Sequence, residues 1–132
     1  MNFIGVAAGL STFLSVWFGH VAVRKVEYLS PTIWLPSSIF TALAFLVAFF
    51  SSSTTSRPLS VALGILAITL LIDALEIRRQ QNRVRKGHAP ANPNNPRHAE
   101  ILAQYSSATT IDLLKRDPSG SSVSPRSAST NL

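Results

Sequence analysis

The stretch LSVALGILAITLLIDALEIRRQQNRVRK, residues 59–86, changes character partway along. Up to Leu75 it is an apolar run whose one ionisable residue is Asp73; from Glu76 onward it carries Arg78, Arg79, Arg83, Arg85 and Lys86. An apolar run that can cross a hydrocarbon core about 30 Å thick, closed by a basic flank, reads as a membrane-spanning helix with an aqueous anchor. Residues 2–23 and 33–50 form two further apolar runs, and across all three the ionisable side chains are His20 and Asp73. Each run approaches the roughly 20 residues a spanning helix needs, with snorkelling ends supplying the remainder. The expected fold is therefore an all-α membrane protein with three transmembrane helices, a basic helical extension and a largely disordered C-terminal tail. In domain terms, residues 1–87 hold the three spans and the basic extension, 88–97 a proline-rich strap, and 98–132 a tail with a short amphipathic helix followed by disorder.

Charge is distributed to match. Lys, Arg, Asp and Glu crowd into residues 76–132, whereas the first 75 positions hold Arg24, Lys25, Glu27, Arg57 and Asp73. The net charge of +6 is more economically read as an anchor on anionic lipid than as a nucleic-acid surface, because the basic segment abuts a span. There is no Cys, which excludes disulfides, thiolate metal sites and a Cys nucleophile. No Lys or Arg precedes Arg24, so the first run reads as a retained helix rather than a cleaved secretory leader. Positive charge follows the first and third spans, with Arg57 alone between the second and third. That bias predicts a multi-pass membrane protein with the N-terminus outside and the C-terminus in the cytoplasm.

The ends of the spans carry their own signals. Tyr28 and Trp34 flank one turn, and Phe3, Phe49 and Phe50 sit near the opposite face, as aromatic side chains do at headgroup depth. Pro31 and Pro36 bracket the start of the second span, where a missing amide donor costs least. The polar run at 51–56, closed by Arg57 and Pro58, is a tight hairpin that makes the second and third spans antiparallel neighbours.

Small residues mark packing faces. Gly5, Gly9, Thr12, Ser15 and Gly19 recur at three- and four-residue steps on the first span; the third offers Ser60 and Gly64, and the second Ala44 and Ala48. Such faces admit close backbone approach in lipid, where no hydrophobic drive joins helices. Internal packing of the three helices is the favoured use, and a homo-oligomer seam the alternative.

A polar boundary cluster gathers at one membrane depth: His20, Arg24, Lys25 and Glu27 from the end of the first span, Asp73, Glu76 and Arg79 from the end of the third. Unpaired ionisable groups there cost several kcal/mol, roughly, so mutual pairing is expected, with Glu76 reaching Arg79 and the carboxylates reaching Arg24, Lys25 or His20. A structural clamp is the leading reading, ahead of a proton or ion path. His20 also stands where haem or a pigment takes an axial ligand, but one His within the spans is thin support for such a cofactor. No other metal site is suggested, since His88 and His98 lie outside the spans. Arg78, Arg79, Arg83, Arg85 and Lys86 are candidate contacts to anionic lipid headgroups, at about 1 kcal/mol per basic residue. Gly87 reads as the helix C-cap. APANPNNP, residues 89–96, repeats proline every third residue and predicts an extended strap. Ile101, Leu102, Tyr105, Ile111, Leu113 and Leu114 suggest short amphipathic helices, and the Ser-rich residues 118–132 suggest disorder.

Three segments carry a family resemblance: the opening MNFIGVAAGLSTFL, GHVAVRKVEY at 19–28, and QNRVRKGHAPANP at 81–93. Over residues 1 to about 96 the chain resembles small bacterial membrane proteins grouped as domain-of-unknown-function family four-four-nine-one. His20, Glu27, Tyr28, Glu76, Arg83, Gly87 and Asn92 fall on that family's pattern, while His88 stands where members often carry an aromatic residue. The resemblance implies three spans, a bacterial inner membrane as the location and a polar cluster at the cytoplasmic boundary, and brings no activity with it.

The sequence holds no H-E-x-x-H, no G-x-S-x-G and no phosphate-binding glycine loop, so no enzyme is expected. The function expected is that of a non-catalytic accessory or scaffolding subunit of a larger inner-membrane complex. A homo-oligomeric proton or small-ion conductor is the alternative, and a pigment- or haem-associated subunit using His20 comes third.

Overall fold

The computed structural model describes residues 3–113, which form four helices in the order α1 (Ile4–Leu29), α2 (Trp34–Ser53), α3 (Arg57–Arg85) and α4 (Pro96–Gln104), with no strand among the described residues. The expectations for Leu114 and for residues 118–132 lie outside the described residues. Two compact units divide between Arg79 and Gln80.

In the first unit, α1, α2 and α3 are each long and apolar enough to cross a membrane. The fold class read from the sequence is thus the one observed: all-α, with three helices built for spanning. Only 11%, 11% and 22% of their most apolar windows are buried inside the chain, so the remaining apolar surface faces outward. Phe13, Trp17, Phe45 and Phe49 are each more than half exposed. An apolar surface on this scale suits lipid, because soluble monomers seldom expose large continuous apolar patches.

Proline sets the boundaries. Ser30 precedes Pro31 and is extended, with φ −75° and ψ 128°, because the Pro ring disfavours a helical residue before it. Its amide still donates to Val26 O at 2.8 Å, closing the last turn of α1. Pro36 and Pro58 fall in the first turns of α2 and α3, where their missing amides leave no helical bond unmade. Within the spans, Thr12, Thr41 and Thr69 donate their hydroxyls to Ala8 O, Ser37 O and Ile65 O at 2.9, 2.8 and 2.8 Å. Each hydroxyl is thereby satisfied within its own helix, as an apolar surrounding requires.

The buried apolar residues of this unit are Val23, Ala44, Ala67, Ala74 and Ile77, more than half of them alanines. Short side chains let the helices approach closely and gain dispersion contacts, which is how helices associate in lipid. α3 is the most covered helix, and both other helices pack on it.

In the second unit α3 ends in a Schellman cap. Gly87 has φ +71°, its amide donates to Val84 O at 3.0 Å, and the His88 amide donates to Arg83 O at 2.8 Å. A Cβ on Gly87 would also run into the Ser107 carbonyl, so two independent constraints hold glycine there. Residues 88–95 differ from the expected extended strap: they fold into a packed turn. The Ala91 amide donates to Thr109 O at 2.8 Å, the Asn95 amide to Asn92 O at 3.0 Å, and Ala89 and Ala91 join Val84 and Ile101 in a small core. The prolines forbid helix here but leave asparagine free to close turns through its side chain, as Asn92 Oδ1 does for the Asn94 amide at 3.0 Å. Asn95 then caps α4, accepting from the Arg97 amide at 3.1 Å, with Pro96 in the first helical position.

Candidate functional site

The feature that most resembles a site in the first unit is the crossing of α1 and α3. Gly19 is buried there, and a Cβ built on it would lie 2.8 Å from Asp73 Oδ1 and 2.9 Å from Asp73 Cγ. The glycine therefore makes the space that the carboxyl occupies. Asp73 is 6% exposed and makes no hydrogen bond among the described residues. Beside it lies an apolar recess of about 380 Å³, lined by Leu14, Ser15, Phe18, Gly19, Ala22, Phe40, Leu66, Leu70 and Asp73. A carboxyl so enclosed at a helix crossing is a default candidate for function in a membrane protein.

The rest of the expected polar cluster is arranged less tightly. His20 is exposed on α1, next to the buried Gly19, and Glu76 follows Asp73 by three residues on α3. Glu76 pairs with Arg79 at 3.3 Å, one turn along the same helix, with the Arg79 side chain 70% exposed. Such an exposed pair contributes on the order of 0–1 kcal/mol. Arg24 and Lys25 are exposed and form no ion pair among the described residues, so the expected bridge from α1 cations to α3 carboxylates is not made. Glu27 is buried, on the same side of α1 as Val23. Among the described residues, no three His, Cys, Asp or Glu side chains converge as metal ligands would.

The small-residue stripe of α1 divides in two. Ser15 and Gly19 turn inward, while a Cβ on Gly5 or Gly9 would meet nothing within 4 Å. The expectation of internal packing is therefore corrected at Gly5 and Gly9, because the inward side of this half of α1 is Ile4, Ala7, Ala8 and Ser11. On the other side of α3, Ser51 and Ser60 exchange hydroxyl-to-carbonyl hydrogen bonds, each 2.8 Å, and a Cβ on Gly64 would sit 3.4 Å from Ser51 Oγ. Ser60 and Gly64 thus do mark the α2–α3 contact.

A second depression, about 660 Å³, runs between α2 and α3 from Trp34, Ser37, Ser38 and Thr41 down to Phe45, with Leu71, Ala74, Leu75 and Arg78 on the facing helix. Among the headgroup candidates Arg78 lines this groove, whereas Arg79 is engaged with Glu76. In the second unit Arg83 and Lys86 are exposed, but Arg85 is drawn into the fold. Its guanidinium lies 5.5 Å from the Tyr105 ring centroid and 3.4 Å from Asn82 Oδ1, and its carbonyl accepts from Ser107 Oγ at 2.7 Å. Arg85 is a packing residue here, not a free headgroup contact.

The sequence reading missed His98. It is fully buried, and its Nδ1 accepts from the Asn92 amide at 2.8 Å, which ties the start of α4 to the turn before it. The readable signal was Asn95-Pro96, a helix cap followed by proline at the first position, which announces a helix that carries His98 in its first turn.

Residues 2–95 match the sequence profile of the domain of unknown function DUF4491, and the chain belongs to that family. No significant match was found among curated proteins or among solved structures.

Proposed function

We propose that the chain is a non-catalytic accessory or scaffolding subunit of a larger complex in a bacterial inner membrane, with its N-terminus outside and its C-terminus in the cytoplasm. The observation that carries this reading is the uncovered face of α1. Gly5 and Gly9 form a notch one turn apart that this chain's own helices leave open. A notch of that kind admits the backbone of another helix at van der Waals distance. Extraction of the full-length protein in mild detergent, followed by mass spectrometry of co-purifying subunits, tests the proposal. A Gly9→Leu variant should lose most of the partner while keeping the parent's thermal stability, since a Cβ at this exposed position has nothing within 4 Å in its own fold. Recovery of a defined homo-oligomer without any partner, or full partner retention by Gly9→Leu, would sink it. Orientation is read separately with an impermeant thiol reagent on intact cells: Ser53→Cys should label and Ser106→Cys should not.

The competing reading, a proton or ion route through His20, Asp73 and Glu76 in a homo-oligomer, draws on the enclosed Asp73 carboxyl. A route needs further polar groups along the span, and the recess beside Asp73 is walled by Leu14, Phe18, Phe40, Leu66 and Leu70. The purified protein in vesicles should accordingly show no proton flux above the lipid background. Flux abolished by Asp73→Asn would replace the accessory reading with conduction.

A further inference from the structure

The α2–α3 groove combines features that the rest of the bundle keeps apart. Trp34, Ser37, Ser38 and Arg78 line it near the start of α2, and Phe45, Leu71 and Leu75 line it farther along the two helices. Arg78 makes no ion pair among the described residues, in contrast to Arg79, and no carboxylate lines the groove. The recess on the other side of α3 is the opposite case, holding Asp73 and no cation. The Ser37 hydroxyl is shut off from solvent yet has no hydrogen-bond partner among the described residues. The Thr41 hydroxyl beside it is already satisfied by Ser37 O at 2.8 Å. A buried hydroxyl without a partner costs free energy unless an acceptor or donor from outside the chain completes it.

We propose that this groove is a binding site for one anionic phospholipid, with the phosphate against Arg78, Ser37 and Ser38 and an acyl chain along Phe45, Leu71 and Leu75. A guanidinium is the side chain best suited to phosphate, and hydroxyl donors complete the remaining oxygens. The apolar stretch selects a lipid over free phosphate, because a free ion leaves that stretch unfilled. The Trp34 ring sits at the level where a headgroup meets its chains. This site is independent of the accessory role, which rests on the opposite helix.

Trp34 also supplies the reporter. The chain has two tryptophans, so Trp17→Phe leaves Trp34 as the single fluorophore. The full-length protein is reconstituted in phosphatidylcholine vesicles containing a minor fraction of acyl-brominated phosphatidylglycerol or, in the parallel arm, acyl-brominated phosphatidylcholine. Brominated phosphatidylglycerol should quench Trp34 more strongly at equal mole fraction. Arg78→Gln should weaken apparent lipid affinity about tenfold, the scale of one charge-assisted contact. The Ser37→Ala, Ser38→Ala pair should weaken it less, and serves if Arg78→Gln proves poorly folded by circular dichroism. The Arg24→Gln, Lys25→Gln pair removes more charge away from the groove and should have a smaller effect than Arg78→Gln. Four results would overturn the site: equal quenching by the two lipids, insensitivity to Arg78→Gln and to the serine pair, a larger effect from the Arg24 and Lys25 pair, or competition by inorganic phosphate at millimolar concentration. Absence of quenching by either lipid would show the groove covered by a protein helix, and would overturn it equally.

Discussion

Replacing Gly19 with Ala places one methyl group where the Asp73 carboxyl stands. The new carbon would sit 2.9 Å from Asp73 Cγ as well as 2.8 Å from Oδ1. Because Cγ itself is too close, rotating the carboxyl oxygens does not relieve the contact; either the whole Asp73 side chain changes rotamer or α1 moves off α3. Overpacking of this kind costs about 1–3 kcal/mol. Alanine gains about 1 kcal/mol over glycine in helix propensity, which offsets part of that loss. Gly9→Ala isolates the clash, since it earns the same propensity with nothing within 4 Å of the added carbon. The two variants should therefore differ by about 1–3 kcal/mol, with Gly19→Ala the less stable. Asp73→Ala removes the obstructing atoms, and in that background the difference between the two glycine substitutions should shrink to about 0.5 kcal/mol or less. Equilibrium unfolding in mixed micelles, followed by circular dichroism, measures all of these. Equal stabilities of Gly19→Ala and Gly9→Ala, or a difference that persists without the Asp73 carboxyl, would refute the account of the crossing.

Ser51→Ala removes one of two reciprocal hydrogen bonds and leaves the Ser60 carbonyl without that donor, so it should cost about 0.6–1.5 kcal/mol by the same unfolding measurement. Glu76→Gln should change stability by less than about 1 kcal/mol, because its Arg79 partner is mostly exposed; a loss well above that would reveal a stronger clamp. Gly87→Ala should destabilise the second unit by more than about 1 kcal/mol, combining a positive φ with the Ser107 carbonyl, and Asn95→Ala by about 1 kcal/mol through the lost cap, both read by amide hydrogen exchange over residues 84–108.

The three long helices were legible because a membrane span is written in length and apolarity, both of which survive without knowledge of neighbours. Pro31, Pro36, Pro58 and Gly87 were legible for a related reason: each acts on its own backbone. The use of α1 was not. Gly5, Gly9 and Gly19 look alike in sequence, and only the position of α3 determines that Gly19 makes room for a carboxyl while Gly5 and Gly9 face outward. The turn at 88–95 was hidden because its closure depends on His98 and Thr109, residues that local composition does not connect to it. Arg85 was misassigned on the same ground, since its charge suggested lipid while Tyr105 and Asn82 supply its surroundings. Of the candidate site, Asp73 and Glu76 were visible as rare charges near the end of a span, but the absence of a bridge to Arg24 and Lys25 was not.

The Ser51–Ser60 exchange joins residues nine apart in the chain, across a turn only a few residues long. Closing so short a loop loses little entropy, whereas bringing Gly19 to Asp73 closes a much longer one. The two contacts should thus form in order of time: a helical hairpin of α2 and α3 enters the membrane as a preassembled pair, and α1 arrives afterwards as a guest on a finished surface. Folding kinetics would report that order as a φ-value high at Ser60 and low at Gly19, and equal values would contradict it. A late-arriving helix is also the one most easily shared, because until it docks both of its faces are available to whatever else is assembling nearby.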